Sequence, residues 1–167
     1  YENDTHPFAW TYDQGLCLIV TARENKKSAE KCIKKLAELQ NLDGSLYDGY
    51  ILENKNKFEI LNNWIKINSK GIHSAYNNKW IGSVCWVIMG ICEFIDNGGD
   101  SKYFEIAKRA AEWLVSQQDE IGKLHNATEG NLNSWWALKR CGFDEAAKKL
   151  EKYIWTYIGD DEYKRFI

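Results

Sequence analysis

Four acidic residues stand where carboxylate chemistry is feasible: Asp13, Glu129, Asp43 and Asp48. Asp13 falls in Trp10-Thr-Tyr-Asp13-Gln-Gly-Leu16 and Glu129 in Thr128-Glu129-Gly130-Asn-Leu132. Aligning Leu16 with Leu132 sets the two acids opposite each other, each in the first turn of an apolar helix. Asp43 and Asp48 lie in Gln40-Asn-Leu-Asp43-Gly44-Ser-Leu46-Tyr-Asp48-Gly-Tyr50, a tyrosine-bearing loop. Glycoside hydrolysis needs two carboxylates, about 5–5.5 Å apart for retention or about 6.5–9.5 Å for inversion. Trp10, Tyr12, Tyr47, Tyr50, Tyr76, Trp80 and Trp135 are the candidate flat faces on which sugar rings rest, with His125 and Asn131 as polar contacts. A structural explanation competes at both first-choice acids. Acidic residues are favoured in first turns by the helix dipole, and Thr11 followed by Gln14 fits a capping box.

Other chemistries have less to stand on. His73 and His125 are lone loop histidines with no second ligand at metal spacing, so neither metal nor cofactor is expected. Asn97-Gly-Gly-Asp100 is a turn without the Lys-Ser/Thr of a phosphate loop. Cys17, Cys32, Cys85, Cys92 and Cys141 lack metal spacing and sit in apolar helical patterns, which makes them small core residues. Unpaired cysteines favour a cytoplasmic setting. A start at Tyr1 without Met, and the sequons Asn3-Asp-Thr and Asn126-Ala-Thr, fit a secreted protein whose leader has been removed, or a trimmed chain.

The 167 residues, 44% hydrophobic and 28% charged, suit one domain over 1–167 with a real core. A balance of 22 basic against 24 acidic residues, net −2, argues against nucleic acid. No apolar run approaches the roughly 18 residues of a membrane span, so no membrane partner is expected.

The elements that must position these residues are helical. A single proline, Pro7, and long apolar periodicity predict helices over 12–23, 26–40, 79–95, 101–118, Thr128 to Arg140 and Asp144 to Ile158. Residues 12–23 and 79–95 are apolar nearly all round and must be covered on every side; 26–40 and 101–118 are one-faced. Residues 1–10 read as an N-terminal extension and 41–78 as a long loop. Trp64, Trp86, Trp113 and Trp155 read as core. An internal repeat underlies this order: Gln40, Gly44 and Leu46 recur as Gln118, Gly122 and Leu124 at a constant offset of 78, and Trp10 onward matches Trp80 onward. Such repetition implies stacked helical units. The short turns fall at one end of the units and the long loops at the other, where the apolar helices begin and where function concentrates.

Trp10-Thr-Tyr-Asp13-Gln-Gly-Leu16, Gln40 to Tyr50, Trp113-Leu and Thr128 to Leu138 together resemble the six-hairpin glycosidase superfamily, over about residues 8–150 and in the family's order. The resemblance implies an all-α, α/α-hairpin toroid with inner and outer helical layers. About three hairpins are present, half of an (α/α)6 barrel, and Gly130 stands where relatives often carry His. It also implies a carbohydrate-active protein of glycoside hydrolase type, with Asp13 and Glu129 as first-choice carboxylates, Asp43 and Asp48 in reserve, and an oligo- or polysaccharide partner. Three hairpins imply a homo-oligomer or a part of a longer chain. Two alternatives stand beside it: a non-catalytic glycan- or protein-binding half-toroid that self-associates, and a terpene cyclase- or prenyltransferase-like toroid. The latter lacks an Asp-x-Asp-Asp or Asp-Asp-x-x-Asp cluster. Gln40 and Gln118 resemble the glutamines of the Gln-x-x-Asp-Gly-Ser repeats of terpene cyclases, which bind backbone groups at a helix end.

Overall fold

A computed structural model describes residues 8–53, 57–60, 79–125, 127–160 and 165–166. These residues are mostly helical, and the class is all-α. The helices are α1 (Thr11–Glu24), α2 (Lys26–Leu39), α3 (Ile81–Asp96), α4 (Phe104–Gln117, led in by a 3-10 turn at Ser101–Tyr103), α5 (Thr128–Arg140) and α6 (Asp144–Tyr153, running on into a π turn at Ile154–Ile158). The predicted bounds hold to within a few residues. Asn25 caps α2 by accepting the Ser28 amide at 3.1 Å. Helices α1 and α5 use no side-chain cap, and the expected Thr11–Gln14 capping box does not form. Thr11 is the first helical residue and is buried; its hydroxyl donates to the Tyr47 carbonyl at 2.5 Å.

Helix α3 is the centre. Ten of its sixteen residues are buried, and α1, α4 and α5 all pack on it. Glycine sets the α1–α3 approach, because a β-carbon on Gly15 would lie 2.6 Å from Trp86 and one on Gly90 would lie 2.8 Å from Leu18. The pairs Gly15–Trp86 and Leu18–Gly90 advance together along both chains, and Arg23 pairs with Glu93 at the far end at 2.7 Å, so α1 and α3 run parallel. Helix α5 runs with them, with Ser134 beside Cys85 at 3.4 Å and Arg140 paired with Asp96. The N-terminal ends of α1, α3 and α5 therefore lie together.

The repeated glutamines hold the other three helices in sequence. Gln40 Nε2 donates to the carbonyls of Gly44 and Ile106 at 2.9 and 3.0 Å; Gln118 Nε2 donates to those of Gly122 and Ala146 at 2.9 and 3.0 Å. Each amide thus joins its own turn to the next one-faced helix, the backbone role expected of it. Gly44 (φ 87°) and Gly122 (φ 97°) need their left-handed backbone, and a β-carbon on either would collide with the carbonyl of Arg109 or Lys149.

Two expectations are corrected. Residues 1–10 and 41–78 are not merely extension and loop, since β1 (Phe8–Trp10), β2 (Gly49–Glu53) and β3 (Lys57–Ile60) form an antiparallel sheet in that order. β1 lies about 40 residues from its partner β2, and the local β2–β3 hairpin, closing from Glu53 to Lys57, has strands of only five and four residues, so the sequence signal is weak; a second pair, β4 (Gly159–Asp160) with β5 (Arg165–Phe166), is shorter still. Nor is α1 covered on every side. Leu18 and Ala22 are buried, but Cys17 is exposed, Leu16 is 37% exposed and Val20 61%. Trp155, expected in the core, is exposed as well, as is Tyr157, while Trp113 is buried and Trp86 half-buried. Trp64 and His73 lie outside the described residues.

Candidate active site at the helix N-terminal mouth

The sheet delivers Asp48 to the helix ends. Trp10 pairs with Gly49, and its ring leaves no room for more than glycine there, since a β-carbon on Gly49 would meet it at 3.0 Å. One residue earlier, the Asp48 carbonyl accepts the Thr11 amide at 2.8 Å at the start of α1, and its carboxylate Oδ1 accepts the Ser83 hydroxyl from the start of α3. From the other side Tyr12 donates its hydroxyl to Glu129 Oε1 at 3.0 Å, joining α1 to α5. Asn133 Nδ2 reaches the same oxygen at 3.4 Å. Beneath lies Trp86, edge-on to the Tyr12 ring with centroids 5.7 Å apart, its buried Nε1 short of hydrogen-bond geometry with any described group.

The acids differ in environment. Burial pushes the Asp48 carboxyl above the usual carboxylate range, and the charge of nearby Asp13 adds to this, against the Ser83 hydrogen bond that lowers it. Asp13 and Glu129 are exposed first-turn residues in the positive field of their helix ends. Asp43 behaves oppositely to Asp48. Slight burial raises its carboxyl, but Lys79 and the hydroxyl and amide of Ser45 outweigh that and bring it down to about 2. Its two oxygens are occupied, Oδ1 by Ser45 and Oδ2 by Lys79 at 2.5 Å. Such a carboxylate stays ionised and holds the turn; it is poorly placed to trade protons. Desolvation, with the Glu129 and Asp13 carboxylates, raises the Tyr12 phenol.

The other candidates separate into groups. Trp80, 46% exposed, faces the His125 ring with centroids 6.5 Å apart, and with Lys79 and Ile81 they line a shallow depression beside the start of α3. His125 Nδ1 accepts the Ala127 amide at 2.9 Å, and its ring sits on Gly130, where a β-carbon would lie 2.7 Å away. Asn131 is fully buried and its amide is used up in the loop: Oδ1 accepts the Leu124 and His125 amides, and Nδ2 donates to the His125 and Ala127 carbonyls. It shapes the mouth without facing a ligand. Tyr50 is buried, with its hydroxyl accepting the Tyr47 amide at 3.1 Å, and burial carries its phenol up to about 12. Tyr47 and Trp10 are half-buried in the same loop and strand. Trp135 points away from the mouth to Glu151 of α6, and Tyr76 lies outside the described residues. Ser83, Trp86 and Lys79 were not anticipated. Ser83 carried a signal, as it aligns with Asp13 when Trp80 is set on Trp10.

Among the described residues no three His, Cys, Asp or Glu side chains are grouped to hold a metal, and no helix is long and apolar enough to cross a membrane. Comparison with protein-family models, with curated proteins and with solved structures finds no match in any of the three.

Proposed function

We propose that this chain is a carbohydrate-active protein of glycoside hydrolase type, built on part of an α/α toroid in which α1, α3 and α5 are the inner helices and α2, α4 and α6 the outer. The observation that carries the reading is the convergence of Asp13, Asp48 and Glu129 at the N-terminal ends of parallel helices, beside Tyr12 and Trp86. Asp48, whose carboxyl is raised by burial, is the proton donor; Glu129 and Asp13, exposed to solvent beside it, are the partners that act on the sugar or on water. That division follows the rule that paired acids with opposed environments divide acid and base roles. Trp80 supplies a stacking face at the rim, and His125 brings an imidazole over Gly130, close to where relatives of the resembled family carry one.

The test is sugar release from an oligosaccharide panel by Asp13→Asn, Asp48→Asn and Glu129→Gln. Asp48→Asn and at least one of the other two should lose activity by about 100-fold or more, with the helical signal unchanged. Activity untouched in all three removes them as acid and base. A second reading, a glycan-binding module without catalysis, is favoured by the openness of Asp13 and Glu129 to solvent; binding with no turnover would select it.

A further inference from the structure

We propose that Cys92 and Cys141 are an oxidisable pair, which hydrogen peroxide joins in a reversible disulfide that staples the C-terminal part of α3 to the end of α5. The site lies at the opposite end of these helices from the mouth and is independent of sugar chemistry there.

Packing of α5 on α3 brings the two sulfurs together. Cys92 lies in α3 and Cys141 caps the end of α5; both are free thiols buried in the same core. Their side chains are within hydrogen-bond reach of each other. Beside them the helix ends are tied a second time, because Asp96, one turn beyond Cys92, pairs with Arg140, the residue before Cys141. The Arg140 guanidinium also lies over the Trp136 ring, 5.1 Å from its centroid, and its side chain is 34% exposed, so the thiols lie just beneath the surface. A disulfide forms only where two backbones already approach closely, and here the sulfur contact and the ion pair mark that approach at adjacent positions. Gly142 follows Cys141 with φ 79° and open space around its would-be β-carbon. A small shift of this turn is enough to close the sulfurs to a bond of about 2.05 Å.

The surroundings separate a nucleophile from its resolving partner. The hydrogen bond from the Cys141 thiol holds the Cys92 thiol below its ordinary value, with the Arg140 guanidinium adding to this against the burial that raises it. The same hydrogen bond, with burial, raises Cys141. Thiolate is the form that reacts, so Cys92 is the attacking sulfur. It attacks one peroxide oxygen and the O–O bond breaks; Cys92 becomes a sulfenic acid, and the departing hydroxide takes the proton that Cys92 released, as water. The Cys141 sulfur then attacks the sulfenic sulfur. The S–S bond forms, the S–O bond breaks, and the hydroxide leaves with the Cys141 proton as a second water. Two thiols are oxidised and one peroxide is reduced. The buried thiols elsewhere are less ready to ionise: burial pushes Cys85 up to about 12, and burial with Cys17 nearby takes Cys32 up to about 11.

Reduced wild-type chain treated with hydrogen peroxide while folded should lose the mass of two hydrogens, peptide mapping should link Cys92 to Cys141, and dithiothreitol should undo the link. The bridge encloses α4 and α5 in one loop, and long closed loops restrict the unfolded chain most, so the urea midpoint should rise on oxidation. Cys92→Ala and Cys141→Ser should show no such rise, whereas Cys17→Ser, which removes the exposed thiol, should show all of it. In Cys141→Ser the hydroxyl can still donate to Cys92 but cannot resolve it, so dimedone should trap a sulfenic acid at Cys92. Should either of these two variants misfold, the wild-type peptide map decides alone. A folded wild-type chain without the link, a link between other cysteines, a link that forms only in urea, a midpoint that falls on oxidation, or no dimedone adduct at Cys92 in folded Cys141→Ser each overturns the proposal.

Discussion

At the level of single side chains, Asp43 and Asp48 show how little distance in sequence says about chemistry. They are five residues apart, yet one is held ionised by Lys79 and Ser45 and the other is lifted by burial and by Asp13. The two shifts act oppositely on stability. Asp43, depressed to about 2, contributes stability above its unfolded value, about 3.9, and loses it as pH falls towards about 2. Asp48, raised, favours the fold while protonated, and that contribution declines as pH climbs from about 3.9 through its folded value. Urea unfolding across this range should therefore show the gap between wild type and Asp43→Asn widening with rising pH, and wild type losing ground to Asp48→Asn. Parallel curves would refute both environments. Lys79→Met should move the Asp43 carboxyl, followed by NMR titration, back towards its ordinary range.

The sequence disclosed which acids sit at helix starts, because first-turn position follows from apolar periodicity. It did not disclose that Asn131 faces inward to the loop or that Tyr50 is core, since both depend on contacts between segments that no local pattern encodes.

At the level of elements, the helices were legible because their burial stripes repeat every three to four residues, and the glutamine turns were legible because they recur. The β1–β2–β3 sheet was not: β1 and β2 are brought together only by the fold, and the local β2–β3 hairpin rests on strands of five and four residues. The turns are testable as a pair. Replacing Gln118 with Met leaves the Gly122 and Ala146 carbonyls without their donor and should cost about 1–3 kcal/mol, with Gln40→Met similar. Gly122→Ala and Gly44→Ala combine a left-handed backbone with a collision and should cost about 1 kcal/mol or more. Gly15→Ala, which would prise α1 from α3, belongs with them. Gly82 is the control: it lies in α3 with open space around its would-be β-carbon, so Gly82→Ala should stabilise by about 0.5–1 kcal/mol. Equal gains at Gly82 and Gly15 would mean that helix propensity, and not close approach, governs these sites.

At the level of the whole molecule, coverage is uneven, and stability should follow it. Helix α3 is enclosed by α1, α4 and α5, whereas α1 keeps an open side and α6 leads into an exposed π turn at Trp155 to Tyr157. Stacked repeats gain stability from neighbours, so an end unit lacks one interface that a central unit has. Local openings draw on the least covered elements first. Amide hydrogen exchange should therefore leave α3 protected to the limit of global unfolding, with α6 and the π turn exchanging earlier and α1 between them. The order within this series separates two causes of protection. If enclosure decides, Gly15→Ala should speed exchange along α1 and the facing side of α3 while leaving the α4–α6 junction at Gln118 unchanged. If the repeat instead unfolds as one cooperative unit, every helix should speed up by the same factor, and the picture of an enclosed centre with weaker ends fails.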